Sequence, residues 1–170
     1  MLLRLEPRDE VGIAGAERVE LMLAPNRGVA AAPIRDVASG GELSRVMLAV
    51  EVVFAGADPV PVMVFDEVDA GVGGRTVAAV GHRLAQLARR HQVLVVTHLP
   101  QIAAHADRHF TVEKRSAEGT TSTDVRLLDD AGRVGELSRM LAGMEGSGLA
   151  QAHAEELLAA ATAAKNGEPA

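Results

Sequence analysis

Two unbroken apolar runs, "VPVMVF" at 60–65 and "QVLVVTH" at 92–98, restrict the fold of this chain more than any other feature. Each has the length of a strand and neither alternates, so both read as strands covered on two faces, as in a parallel sheet. Parallel strands need a crossover between them. The intervening segment supplies one: Val77, Val80, Leu84 and Leu87 recur at helical spacing between Thr76 and about Arg90. Strand, helix, strand in this order is a βαβ unit, which places the chain among α/β folds with a mostly parallel sheet flanked by helices.

Other elements gather around this unit. "RVELMLAPNRG" sets Val19, Leu21 and Leu23 against Arg18, Glu20 and Met22 and ends in a Pro-Asn-Arg-Gly turn, so the amino-terminal edge reads as β-rich and antiparallel. Leu43, Val46, Met47, Val50 and Phe54 mark one face of a helix that Gly56 and Pro59 stop. "HFTVEK" and "TSTDVRLL" form an expected hairpin around "RSAEGT". Two closing helices are expected at roughly Val134–Ala142 and Leu149–Ala164, with Ser147 before the last and Asn166-Gly167 after it. No linker interrupts the 170 residues, which read as one compact unit.

Composition narrows the function classes. Hydrophobic residues make up 48% of the chain, enough for a sizeable core, yet no eighteen in a row are apolar and no leader is visible. A soluble, cytoplasmic protein with no membrane partner is expected. The absence of cysteine excludes disulfides and thiolate metal sites. A net charge of −6, with two lysines among seventeen basic residues, makes this chain alone a poor binder of polyanions. Three phenylalanines and no other aromatic give no platform for stacking bases.

The chemistry-bearing residues lie at the ends of these elements. In "ASGGELSR", Ser39 reads as an N-cap and Glu42 closes a capping box, yet Gly40 and Gly41 open the helix. Each glycine costs roughly 1 kcal/mol against alanine in a helix. The pair is therefore expected to admit a close approach to the helix end by something whose identity the glycines alone do not give. On that reading Gly41→Ala costs this lobe nothing in stability. The first apolar run leads into Asp66-Glu67 and then Asp69 with "AGVGG", and the second leads into Thr97-His98. Carboxyl ends of parallel strands share one edge, where ligands bind, so two acids and a histidine should converge there. A second "GELSR" at 135–139 lacks the serine cap and the paired glycines and reads as an ordinary amphipathic helix.

These stretches resemble the ATP-binding-cassette ATPases. "ASGGELSR" is similar to their signature motif, "VPVMVFDEVDAGVGG" to the Walker B strand and D-loop, and "VLVVTHLPQIAAHAD" to the switch-histidine loop. The wording resembles that of the DNA-repair members of the structural-maintenance-of-chromosomes group, and the likeness runs from about Gly12 to Leu158. The resemblance implies that Ser39, Gly40 and Gly41 face the γ-phosphate of an ATP held by another subunit. It implies Asp66 as the Mg2+ aspartate, Glu67 as the base that positions or deprotonates water, His98 as the γ-phosphate switch and Asp69 as a D-loop reporter across a head-to-head homodimer. Glu42 and Arg45 are read as capping and orienting the signature helix.

One part of such a site is missing from the sequence. A phosphate-binding loop needs GxxxxGK[ST], and neither Lys114 nor Lys165 follows a glycine. Nor does a heptad run appear. Residues 1–170 are thus expected to be a single carboxyl-terminal head lobe, inactive alone, whose ATP and Mg2+ binding requires an amino-terminal lobe that the resemblance places before a coiled coil. DNA repair and recombination, with DNA as a partner, would belong to the whole protein. Two alternatives stay open. One is a stand-alone metal-dependent hydrolase built on Asp66, Glu67, Asp69 and His98, with His105, Asp107 and His109 nearby; the other is a non-catalytic interaction lobe.

Overall fold

A computed structural model describes residues 2–13, 15–24, 28–54, 60–117, 120–143 and 148–167. The Pro25-Asn26-Arg27 turn, the Gly56 and Pro59 stop, Glu118-Gly119 at the hairpin tip and the Ser147 cap lie outside the described residues.

The βαβ unit is present. β4 (Val62–Phe65) pairs in parallel with β5 (Gln92–Val95), Met63 opposite Val93 and Phe65 opposite Val95, and α3 (Arg75–Leu87) connects them. Met63 and Phe65 share one face of the pair and pack with Val77, Val80, Leu84 and Leu87, the helical stripe read from the sequence. Leu48, Val68 and Ile102 complete this core.

The second face of the strand pair departs from the expectation of two-sided cover. Val62, Val64, Leu94 and Val96 lie on it, and Val64 is 67% exposed. An uninterrupted apolar run signals two apolar faces but says nothing of what covers the second. Among the described residues, parallel pairing is confined to β4 and β5. The other sheets are antiparallel: β1 (Leu2–Gly12) with β2 (Gly15–Leu23) and β3 (Ala32–Pro33) at the β-rich amino-terminal edge, and the hairpin of β6 (Phe110–Ala117) with β7 (Thr120–Leu127).

Helices complete the α/β lobe. α1 (Ile34–Val37) is a single turn that leads into α2 (Gly40–Phe54), and α4 (Pro100–Ala103) follows β5. α5 (Asp130–Ala142) packs against α6 (Gly148–Asn166), where Leu137, Ala154 and Ala161 join Ala103 and Ala104 in a second apolar cluster. α5 begins four residues before the expected Val134, because the Asp129 carboxylate accepts the Gly132 N–H at 2.8 Å and caps a turn with no apolar stripe. The second "GELSR" falls inside α5, where Arg139 pairs with Glu136 and the side of Gly135 is open.

Candidate functional site

Three segments meet at one end of the βαβ unit. The amino-terminal end of α2, the loop after β4 and the loop after β5 line a cleft of about 600 Å3, which Ser39, Gly40, Gly41, Asp66, Glu67, Thr97 and His98 border. The convergence expected from strand direction is therefore realised. A larger concavity, about 1130 Å3, lies between the β6–β7 hairpin and α5–α6 and carries none of these residues.

The helix end is capped as its sequence implies. The Ser39 N–H donates to Glu42 Oε2 at 2.9 Å, and the Glu42 N–H donates to Ser39 Oγ at 3.3 Å. Leu43 N–H closes the first turn on the Ser39 carbonyl. The amides of Gly40 and Gly41 take no part in these bonds and stand at the positive end of the helix dipole. The Ser39 hydroxyl also donates to Glu42 Oε2, at 3.1 Å, so it must turn to serve an incoming anion. The Ser39 amide, and after it the Ser39 hydroxyl, hold the Glu42 carboxyl below its usual range. Glu42 acts here as the cap.

Gly41 has a local cause that the sequence does not display. A Cβ on Gly41 would come within 2.7 Å of the Ala70 Cβ and 2.8 Å of the Glu67 carbonyl oxygen. Gly41 is buried and has no positive φ. The close approach that excludes a side chain at 41 thus comes from the chain's own 67–70 loop. This crowding contradicts the expectation that Gly41→Ala leaves the lobe unharmed, since a backbone carbonyl and a Cβ give way less readily than the end of a flexible side chain. Gly40 differs: it is exposed, and a Cβ there would meet only the Glu67 carboxyl group.

At the end of β4, Asp66 and Glu67 are both exposed, and the Glu67 N–H donates to Asp66 Oδ1 at 2.9 Å. Glu67 has φ +56, the only positive φ at a non-glycine among the described residues. This setting turns the chain sharply after the strand and costs of order 1–2 kcal/mol.

Asp69 points inward. It is 5% exposed, accepts the Thr97 hydroxyl at 2.5 Å and the His98 N–H at 3.0 Å, and lies 3.1 Å from His98 Nδ1. Burial works to raise its pKa, but the Thr97 hydroxyl, the His98 amide and the His98 ring together hold it below the ordinary value. Pairing with this carboxylate makes His98 Nδ1 a donor and leaves Nε2 for another partner, on a side chain that is 76% exposed. Asp69 therefore ties the acid loop to the histidine loop within one chain. The sequence reading missed Thr97 as a partner in this tie, although its place beside His98 at a strand end was a usable signal.

Of the residues of the metal-hydrolase alternative, His105, Asp107 and His109 do not join the cleft that Asp66, Glu67, Asp69 and His98 line. Asp107 pairs with Lys165 at 2.6 Å, and His105 packs against Gly81. His109 sits just before β6 and is half-buried, which holds its pKa below the ordinary value. Among the described residues no three His, Asp or Glu side chains group as metal ligands. Asp66 and its neighbour Glu67 offer hard, exposed carboxylates of the kind Mg2+ takes, one or two at a time, completing its shell with water and phosphate oxygens. No helix among the described residues is long and apolar enough to cross a membrane.

No protein-family model matches the chain. It is 62% identical over 152 residues to the DNA repair protein RecN of Streptomyces coelicolor, a match covering 89% of this chain and 27% of that protein. RecN of Mycobacterium leprae is 55% identical over 150 residues, covering 88% and 25%. RecN of Xylella fastidiosa strain Temecula1 is 47% identical over 160 residues, covering 93% and 29%. The chain thus spans about a quarter of the length of the curated relatives it matches. Among solved structures, one described for ATP-driven dimerization and DNA-stimulated activation of SMC ATPases overlaps 85% of this chain and 84% of its own at 22% identity, with a TM-score of 0.44. An SmcHead bound to the C-winged helix domain of ScpA overlaps 76% and 38% at 25% identity, with a TM-score of 0.43. By its sequence, the chain is RecN-like and matches the carboxyl-terminal part of those DNA repair proteins.

Proposed function

We propose that this chain is the carboxyl-terminal lobe of a RecN-like ATPase head and forms one flank of each of two ATP sites in a head-to-head dimer. The observation that carries the reading is the single cleft shared by Ser39–Gly41, Asp66–Glu67 and His98. In its own site, Asp66 would hold Mg2+ through water, Glu67 would position and deprotonate the attacking water, and His98 Nε2 would meet the γ-phosphate. On the opposite site, the free amides of Gly40 and Gly41, with the Ser39 hydroxyl, would meet the γ-phosphate of the ATP held by the partner. The lysine and hydroxyl of a phosphate-binding loop would come from the amino-terminal part that the longer relatives carry. DNA double-strand break repair, recombination and location at the nucleoid are proposed for the whole protein.

Glu67→Gln in this chain, joined to that amino-terminal part, tests the assignment. The amide keeps the size and reach of the carboxylate but loses its basicity. Turnover should fall by roughly 100-fold or more while ATP still binds and the engaged dimer accumulates. Near-normal hydrolysis would place the base elsewhere.

A further inference from the structure

One helix brackets the proposed base. Ser44 Oγ donates to the Asp66 carbonyl at 2.7 Å, on the residue before Glu67. Arg45 Nη1 donates to the Ala70 carbonyl at 2.6 Å and lies 3.4 Å from the Val68 carbonyl, on the residue after it. Between these anchors Glu67 is held at φ +56, a backbone setting that persists only when its surroundings enforce it. Gly41, one turn earlier on the same helix, sits against the Glu67 carbonyl with no room for a side chain. The guanidinium also brings a full positive charge to carbonyls that would otherwise lack partners in the loop, and such charge-assisted bonds are the stronger kind.

We infer that Ser44 and Arg45 are positioning residues that hold Glu67 in its left-handed setting and fuse the acid loop to the Ser39–Gly41 end of α2. This rests on the functional reading above for its consequence, though not for its geometry. In a dimer, the end of α2 that meets the phosphate of one site would be rigidly joined to the base of the other. A displacement of α2 on engagement would then carry Glu67 with it, and the two hydrolysis events would be coupled through side chains within each lobe.

Two measurements test this, the first on the chain itself. Ala70 N–H bonds to the Glu67 carbonyl at 3.0 Å, so its hydrogen exchange reports on the loop. Arg45→Ala should speed exchange at Ala70 by about tenfold or more while the α3 amides keep their wild-type rates. Arg45→Lys, whose single ammonium can still reach the Ala70 carbonyl, should restore most of the protection. Ser44→Ala, a milder change, should speed exchange in the same loop by a smaller factor. The second measurement is made in the assembled ATPase. There Arg45→Ala should lower kcat at least tenfold with the KM for ATP within about twofold and ATP-driven association retained. Exchange within twofold of wild type for both alanine variants, or equal damage from lysine and alanine at 45, would overturn the inference. So would loss of association together with kcat. If the wild-type assembly hydrolyses no ATP, the functional reading fails while the exchange result still decides the positioning claim.

Discussion

Gly41 shows how an anomaly in the sequence can have a cause within the chain that the sequence does not display. The sequence displays two glycines where a helix should begin, and that anomaly marks a close approach. What approaches is the 67–70 loop, twenty-six or more residues away along the chain, and one sequence cannot distinguish that backbone from a ligand. Overpacking of this kind typically costs about 1–3 kcal/mol, against a helix-propensity gain of up to about 1 kcal/mol for alanine. Gly41→Ala should therefore destabilise the chain by about 1 kcal/mol or more in a urea titration. Gly40→Ala, whose new methyl meets only the end of the Glu67 side chain, should leave the unfolding midpoint nearly unchanged. Equal or raised stability for Gly41→Ala would mean that the loop yields. By contrast, the Ser39–Glu42 capping box was fully legible, because both partners lie within four residues and the bond pattern follows from helix geometry.

At the level of the element, the helical stripe of α3 and the positions of β4 and β5 follow directly from apolar periodicity. The cover of the strands does not. β4 alternates in burial: Met63 and Phe65 face the core, whereas Val62 and Val64 face outward. In this chain, Phe65→Ala should cost about 3–5 kcal/mol, as expected for an aromatic in a packed core. Val64→Thr should stay within about 0.5 kcal/mol, the range of an ordinary surface change. A cost for Val64→Thr near that of a core residue would show that the outer face is covered in solution. The early start of α5 was hidden for another reason: Asp129 caps a first turn of Asp130, Ala131, Gly132 and Arg133, in which no residue carries a large apolar side chain.

Across the molecule, the α2 end, the acid loop and the histidine loop form a connected wall. Ser44 and Arg45 tie the first to the second, and Asp69 ties the second to Thr97 and His98. The wall carries carboxylates, free helix amides and an imidazole, but the sequence holds no GxxxxGK[ST] with which to grip the other side of a triphosphate. The meeting of these segments was legible in the sequence through the shared strand ends, while the inward turn of Asp69 required coordinates. If this wall is half of an ATPase site, as proposed, steady-state ATP hydrolysis with Mg2+ reads it out. The chain should be silent alone and should gain Mg2+-dependent turnover when joined to the amino-terminal part of its relatives; hydrolysis by the chain alone, or continued silence of the well-folded joined protein, would contradict it.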